Sequence, residues 1–360
     1  MPLTDIAEKT AQFYAPRFEV EIEGKKLKGA MEKIITDISI TEKVDEGASF
    51  SFTLYDEFDL RKQRFKWLEH ELFQIGNKTK ISLGYENNLE TMIEGKITSI
   101  EPSFFSGELP TITITGHDLS FDYLKRPSPA ETFKNTTYGE IAEKIARGAG
   151  LQPVVDRSDI RVLEIKKQNN ESYYRFLKRL AGEIEFVFFV YKKTMYFVSE
   201  YIYPEEITLS FGRDLISFKP SLNTSGILKS VEVRGHNPKD PSKPVVGKVV
   251  AKGLVEGEYI KIGSLSKKIE NPAEKVIDNV TVTSVSHARK IAESVLKKAN
   301  QSILTGEGSS IGVPQIRAGI TLQLERLGSI FSGRYYVTET THSINNSGYL
   351  TRFSVIRREK

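Results

Sequence analysis

Phe18-Glu19-Val20-Glu21-Ile22-Glu23-Gly24 carries the clearest signal of fold class in the chain. Apolar and acidic residues alternate strictly, and a glycine follows where a turn is needed. A period of two puts each set of side chains on its own face of an extended strand, whereas a helix would scatter them around its axis. The same period recurs in Ile34, Ile38 and Ile40, in Phe50, Phe52 and Leu54, and in Ile81 and Leu83. It continues through Ile93, Ile97 and Ile100 to Ile112, Ile114 and Gly116. Short strands at this spacing, with Gly and Asn between them, predict a small antiparallel barrel or sandwich within residues 1–127. Residues 60–73, rich in Arg, Lys, Glu and Leu, are expected to form a short helix between strands.

The period then becomes helical. Thr137-Tyr138-Gly139-Glu140 fits a capping box, in which a hydroxyl and a carboxylate each satisfy one orphan N–H. Ile141, Ala142, Ile145 and Ala146 follow at helical spacing, and Gly148 or Gly150 is expected to end the helix. A second helix is expected from near Asn170, with Tyr173, Phe176, Leu177, Leu180 and Ala181 on one face and Gly182 as its stop. Two strands, 185–191 and 195–199, complete an α+β accessory domain over 128–220. Residues 221–360 return to the strand period and predict a second barrel. An insertion at about 236–310 interrupts it and contains a helix at about 286–299, with Ala288, Ile291, Ala292, Val295 and Leu296 inward. The Gly- and Ser-rich run 305–312 reads as a flexible loop, and strands are expected over 320–324, 334–341 and 349–356. In the second of these, Tyr335 and Val337 should share one face, with Tyr336 and Thr338 on the other. The expected class is β-rich α+β: two antiparallel barrels plus accessory α+β elements.

The two β regions echo one another. The motifs 76–83, 95–98 and 111–114 return in the same order as 319–324, 333–338 and 351–355. Duplication of one unit and chance likeness of two meanders both account for this.

Composition excludes several classes of function. Among 360 residues, 51 basic and 47 acidic side chains leave a net charge of 51 − 47 = +4, too little for a dedicated nucleic-acid binder. There is no cysteine, so disulfides, thiolate metal sites and a cysteine nucleophile are excluded. His70, His117, His236, His287 and His342 are scattered without metal-ligand spacing, and each reads as a structural histidine. No Gly-x-Ser-x-Gly elbow occurs, and 306–312 lacks the Gly-Lys-Ser/Thr ending of a phosphate loop. Two acidic pairs, Glu183 with Glu185 and Glu205 with Glu206, keep a cell-wall-active glycosidase or carbohydrate-binding module open as an alternative. The basic clusters, Lys166-Lys167 and Arg357-Arg358 among them, read as solvated loop tips. The N-terminus shows no signal peptide, and the apolar run 184–191 is too short for a bilayer, so synthesis in the cytoplasm is expected. No catalytic residue, cofactor, metal, membrane or specific nucleic acid is assigned. Phe186, Phe188 and Phe189 lie in an aromatic hairpin that is apolar on both faces, which must be covered by a domain core or by a subunit interface.

Four motifs in order carry a resemblance. They are Gly116-His117-Asp118-Leu119-Ser120, Thr137–Ala146 with Gly150-Leu151, Glu171–Ala181, and a C-terminal run. That run comprises Phe331-Ser332-Gly333-Arg334-Tyr335-Tyr336-Val337-Thr338, Thr341-His342-Ser343 and Ser347-Gly348-Tyr349-Leu350-Thr351-Arg352-Phe353. Together they resemble the phage late control protein D family over residues 75–357, a family similar to the N-terminal hub part of type VI VgrG spike proteins. The resemblance implies a non-enzymatic baseplate hub of a phage tail, tailocin or other contractile injection system. It implies a homotrimer in which two tube-protein-like barrels per chain adapt a sixfold inner tube to a threefold spike. The spike is expected to be a separate trimeric protein. The inner tube protein, LysM-type tube-initiator proteins and baseplate wedge proteins are the other implied partners. Tyr335, Tyr336, Val337, Phe186, Phe188 and Phe189 are the candidate barrel or interface residues.

Overall fold

A computed structural model describes residues 16–357, apart from 45–46, 87, 157–160, 185, 192, 200–205, 238–239, 253–254, 257–258, 263–264, 270–271, 283 and 301–302. The N-terminal β region has six long strands: β1 (Pro16–Ile22), β2 (Ile35–Lys43), β3 (Gly47–Tyr55), β4 (Lys78–Tyr85), β5 (Asn88–Ser103) and β6 (Thr111–Asp118). They pair antiparallel in the order β2-β3-β6-β5-β4-β1. The alternation in the sequence becomes alternation in burial: Ile38, Ile40, Phe50, Phe52, Ile81, Leu83, Ile112 and Ile114 all enter one core. A groove lined by Pro16, Phe18, Ile35, Asp37, Ile344 and Gly348 marks the seam between the two terminal strands of this order, β1 and β2.

Residues 60–73 form turns and not the expected helix; their one ladder pairs Phe58–Asp59 with Arg64–Phe65. The cause is Asp56. Its buried carboxylate accepts from the backbone N–H groups of Glu57, Trp67 and Leu68 at 2.7, 2.9 and 3.0 Å. Trp67, Leu72 and Phe73 consequently enter the barrel core.

The accessory unit contains α1 (Tyr138–Gly148), α2 (Tyr173–Glu183) and the hairpin β7 (Val187–Tyr191) and β8 (Thr194–Val198). The capping box is present, with Glu140 N donating to Thr137 Oγ1 at 3.2 Å and Thr137 N to Glu140 Oε2 at 2.9 Å. Gly150, at φ +71°, terminates α1; Gly148 is still helical. Leu151 N reaches Ala146 O at 2.9 Å, which closes a Schellman motif. In α2 the cap is Ser172, whose hydroxyl accepts from Arg175 N at 3.3 Å, so the helix starts later than expected. Gly182 sits in its last turn and does not stop it, and Tyr174 replaces Tyr173 on the buried face.

The C-terminal part contains β9 (Glu206–Ser210), β10 (Leu215–Leu222), β11 (Leu228–Asn237), β12 (Asp240–Val250), β13 (Ala273–Thr281), α3 (Val285–Asn300), β14 (Leu304–Ile311), β15 (Thr321–Glu325), β16 (Gly333–Asn345) and β17 (Gly348–Arg357). β12, β11 and β13 make a separate sheet under α3, which buries Ala288, Ala292 and Leu296, while Ile291 and Val295 are half-buried. Gly247 lets strand and helix meet: a Cβ there would lie 2.4 Å from Arg289 N.

β14 corrects the reading of 305–312 as a loop. It is an inner strand, paired with β10 on one side and β17 on the other. Its glycines make room for rings. A Cβ on Gly306 would meet Phe218 at 2.5 Å, and one on Gly308 would meet Phe353 at 2.6 Å. Among the described residues no helix is long and apolar enough to cross a membrane.

Candidate assembly site: two matched barrels and their joint

Strands β9, β10, β14, β15, β16 and β17 are ordered β10-β14-β17-β16-β15-β9. Numbered one to six along the chain within each region, both regions read 2-3-6-5-4-1; the directions agree except at the first strand, where β1 runs antiparallel to β4 but β9 runs parallel to β15, so the second barrel is not wholly antiparallel as expected. Two irregularities match as well, although the bulge at Met92 between β4 and β5 has no counterpart between β15 and β16. In the second strands, a bulge falls at Thr36 in β2 and at Ile216 in β10. In the fifth strands, a bulge falls at Thr98 in β5 and at Thr338 in β16. The two bulged threonines donate their hydroxyls to equivalent carbonyls, Thr115 O at 3.4 Å and Ser354 O at 3.1 Å. The turns into the fourth strands agree too. Gly76, at φ +95°, donates to Ile97 O at 2.8 Å; Gly319, at φ +97°, donates to Val337 O at 2.9 Å. The sequence echo therefore aligns strand for strand. A common meander accounts for a shared period, but bulges and turn bonds are local features that each fold sets separately.

β16 joins the two regions. Before its bulge it pairs with β15; beyond it, Glu339–Asn345 pairs with Lys43–Asp37 of β2. This single change of partner makes one sheet of both barrels, thirteen strands with the short Lys25–Lys26 beside β1. Val44 N donates to Thr338 O at 3.0 Å, and the hydroxyls of Thr41 and Thr341 meet at 3.1 Å. Arg317, 2% exposed, reaches across from the second barrel. Its guanidinium forks onto the Glu42 carboxylate, with Nε to Oε2 at 2.6 Å, and donates to Met92 O at 2.6 Å. Tyr85 Oη donates to Gly312 O at 2.8 Å.

His342 is fully buried beside this pair. Its Nε2 is 2.7 Å from Ile316 O, a group that only accepts, so Nε2 carries the proton. Nδ1 then accepts from Tyr349 Oη at 2.9 Å or Thr351 Oγ1 at 3.1 Å. Burial, and then the Arg317 charge, push its pKa down to about 3. The ring is a neutral peg in the joint. Asp118, next to His117 in the chain, caps the following turn by accepting from Ser120 N at 2.8 Å and holds Ala48 N at 2.9 Å.

The hairpin residues are covered on both faces within the chain. Phe188 and Phe197 enter the accessory core with α1 and α2, and half-buried Phe186 packs on that core, its ring 5.4 Å from Phe197. Phe189 and Val198 enter the second barrel's core. Tyr335, Tyr336 and Val337 are all buried in that same cluster; their ladder to Arg357, Ile356 and Val355 is regular, and the bulge falls only after them, at Thr338. Tyr335 Oη donates to Phe331 O at 2.7 Å, and its ring meets Phe218 edge-on. Glu183 is exposed and bound to Arg179 Nη1 and Tyr138 Oη, each at 3.1 Å. Glu185, Glu205, the neighbouring Tyr201 and Tyr203, and Arg358 lie outside the described residues, as does the side chain of His287.

Lys167 departs from the reading of its cluster as a solvated tip. It is buried, and its ammonium donates to the carbonyls of Ser128, Pro129 and Glu171 at 3.1, 2.7 and 2.9 Å. Arg317 and Glu42 were not legible as a pair. The one signal was a lone charge inside the otherwise uncharged run Val313–Ile320.

Solved structures share this fold. The 43 kDa tail protein of prophage MuSo2 from Shewanella oneidensis matches with a TM-score of 0.71 at 16% identity, covering 95% of this chain and 98% of that one. A tail protein from Neisseria meningitidis matches with a TM-score of 0.69 at 12% identity, over 96% and 97%. An Escherichia coli component of the type VI secretion system, described as similar to T4 bacteriophage tail proteins, matches with a TM-score of 0.58 at 12% identity, over 91% and 74%. No curated protein matches. With the first barrel, the joint and all of the second barrel except β17 inside the matched span, residues 14–346, the chain belongs to the family described as the Alg8 N-terminal domain.

Proposed function

We propose that this chain is the non-enzymatic, homotrimeric hub of a contractile tail or injection system, as in the late control protein D family. The observation that carries the reading is the repeated strand order with its matched bulges. A sixfold tube and a threefold spike share no set of equivalent contacts, so the part between them must present both symmetries. Three chains, each with two like barrels, present six similar units on one face and three unlike pairs on the other. The assignment takes three domains, expected at 1–127, 128–220 and 221–360, and moves the second boundary back to before β9, because β9 and β10 lie in the ladder of the second barrel. The trimer holds a trimeric spike and templates inner-tube assembly. LysM-type initiator and wedge proteins join the same particle.

The test is a mass measurement in solution, alone and with candidate tube and spike proteins. Three chains per complex are expected, and a one-chain mass in every mixture would overturn the reading.

A further inference from the structure

The two barrels are alike, yet only one of them has its flank covered inside the chain. The second barrel uses its fifth strand, β16, to meet the second strand of the first barrel, β2. The first barrel's own fifth strand, β5, pairs with β4 only as far as Lys96, so its stretch Ser99–Ser103 has β6 on one side and no described strand on the other. The second barrel's own second strand, β10, ends the sheet order; among the described strands it pairs only with β14, apart from a bridge of Leu215 to Phe211.

The matched bulges give the correspondence residue by residue. Counting from Thr98 and Thr338, Thr340, Thr341, His342 and Ile344 answer to Ile100, Glu101, Pro102 and Phe104. Counting from Thr36 and Ile216, Thr41 and Glu42 answer to Ser221 and Leu222. Ala318 answers to Ile75, because each immediately precedes its turn glycine. Burial differs sharply across this correspondence. Thr340 and His342 are fully buried and Ala318 nearly so, whereas Ile75 is 68% exposed and Phe104 55%. Leu222, on the opposite flank, is 37% exposed. The exposed set is apolar where its counterpart packs against a barrel.

We propose that β5 beyond Thr98 adds antiparallel to β10 of a second copy of this chain, with Glu101 opposite Ser221 and Ile100 opposite Leu222. The contact repeats between chains the joint that β16 and β2 make within one. Like that joint, it runs fifth strand to second strand, so it is head-to-tail and generates a ring. Pro102 falls opposite Pro220, and neither has an N–H to give, so this ladder is weaker than the internal one. The same prolines blunt both edges against indiscriminate pairing before assembly. The inference rests on the hub reading for the number of copies, while the register comes from the matched bulges.

The chain has no cysteine, so a designed pair reports alone. Glu101 and Ser221 are both exposed and answer to Thr341 and Thr41, whose hydroxyls touch within the chain. Paired strand residues lie about 4.5–5.5 Å apart at Cα, within disulfide reach. The double variant Glu101→Cys, Ser221→Cys should shift under mild oxidation to covalent species of up to three chains. Each single variant, and the out-of-register pair Glu101→Cys, Lys219→Cys, should not. Ile100→Cys with Leu222→Cys repeats the test on the other face of the ladder. A trimeric mass without cross-linking in either matched pair overturns this ladder and leaves the hub reading standing. Equal cross-linking in the mismatched pair overturns the register. A one-chain mass throughout ends both proposals.

Discussion

At the joint, two side chains carry most of the consequence. Arg317 is buried and its charge is met by Glu42 and a carbonyl. Removing one partner of such a pair strands the other charge, which typically costs about 3–5 kcal/mol. Arg317→Met should therefore lower stability by about that amount in urea titrations, and adding Glu42→Gln should recover part of the loss. His342 makes stability depend on pH. Its pKa is depressed from 6.5 when free to about 3 in the fold, so the unfolded chain binds the proton first. Its contribution is complete above about pH 6.5 and is lost as pH falls toward 3, at up to about 1.4 kcal/mol per pH unit. His342→Gln keeps a donor for Ile316 O but cannot titrate. Its stability curve should be flatter than the wild type's between pH 6 and 4, and parallel curves would refute the assignment.

Among the elements, β14 shows how composition misleads. Glycine and serine ordinarily signal a loop, and here they allow a strand to lie under the rings of Phe218 and Phe353. Overfilling such a contact costs about 1–3 kcal/mol. Gly308→Ala should fall in that range by thermal or chemical melting, since a Cβ would sit 2.6 Å from the Phe353 ring and 2.9 Å from Ser217 O. A neutral effect would show that the ring moves freely. The helices behaved more locally. The α1 capping box and the α3 face were legible because both depend on neighbours within one or two turns. Residues 60–73 were not, because the carboxylate that organises them sits at Asp56, before the segment begins.

Over the whole molecule, the two barrels are separate in the chain and continuous in the sheet. β16 achieves this by changing partners at one bulge. The trimer mass and the Glu101–Ser221 cross-link belong to this scale, because both ask whether the same exchange repeats between chains. The period-two pattern, the two β regions, the helix faces and the echo between them could all be read in the linear chain, since each depends on residues close together along it. The identical strand order, the pairing of Arg317 with Glu42 and the inner position of β14 could not. Each joins residues tens to hundreds of positions apart, and nothing local to either partner records which distant group it will meet.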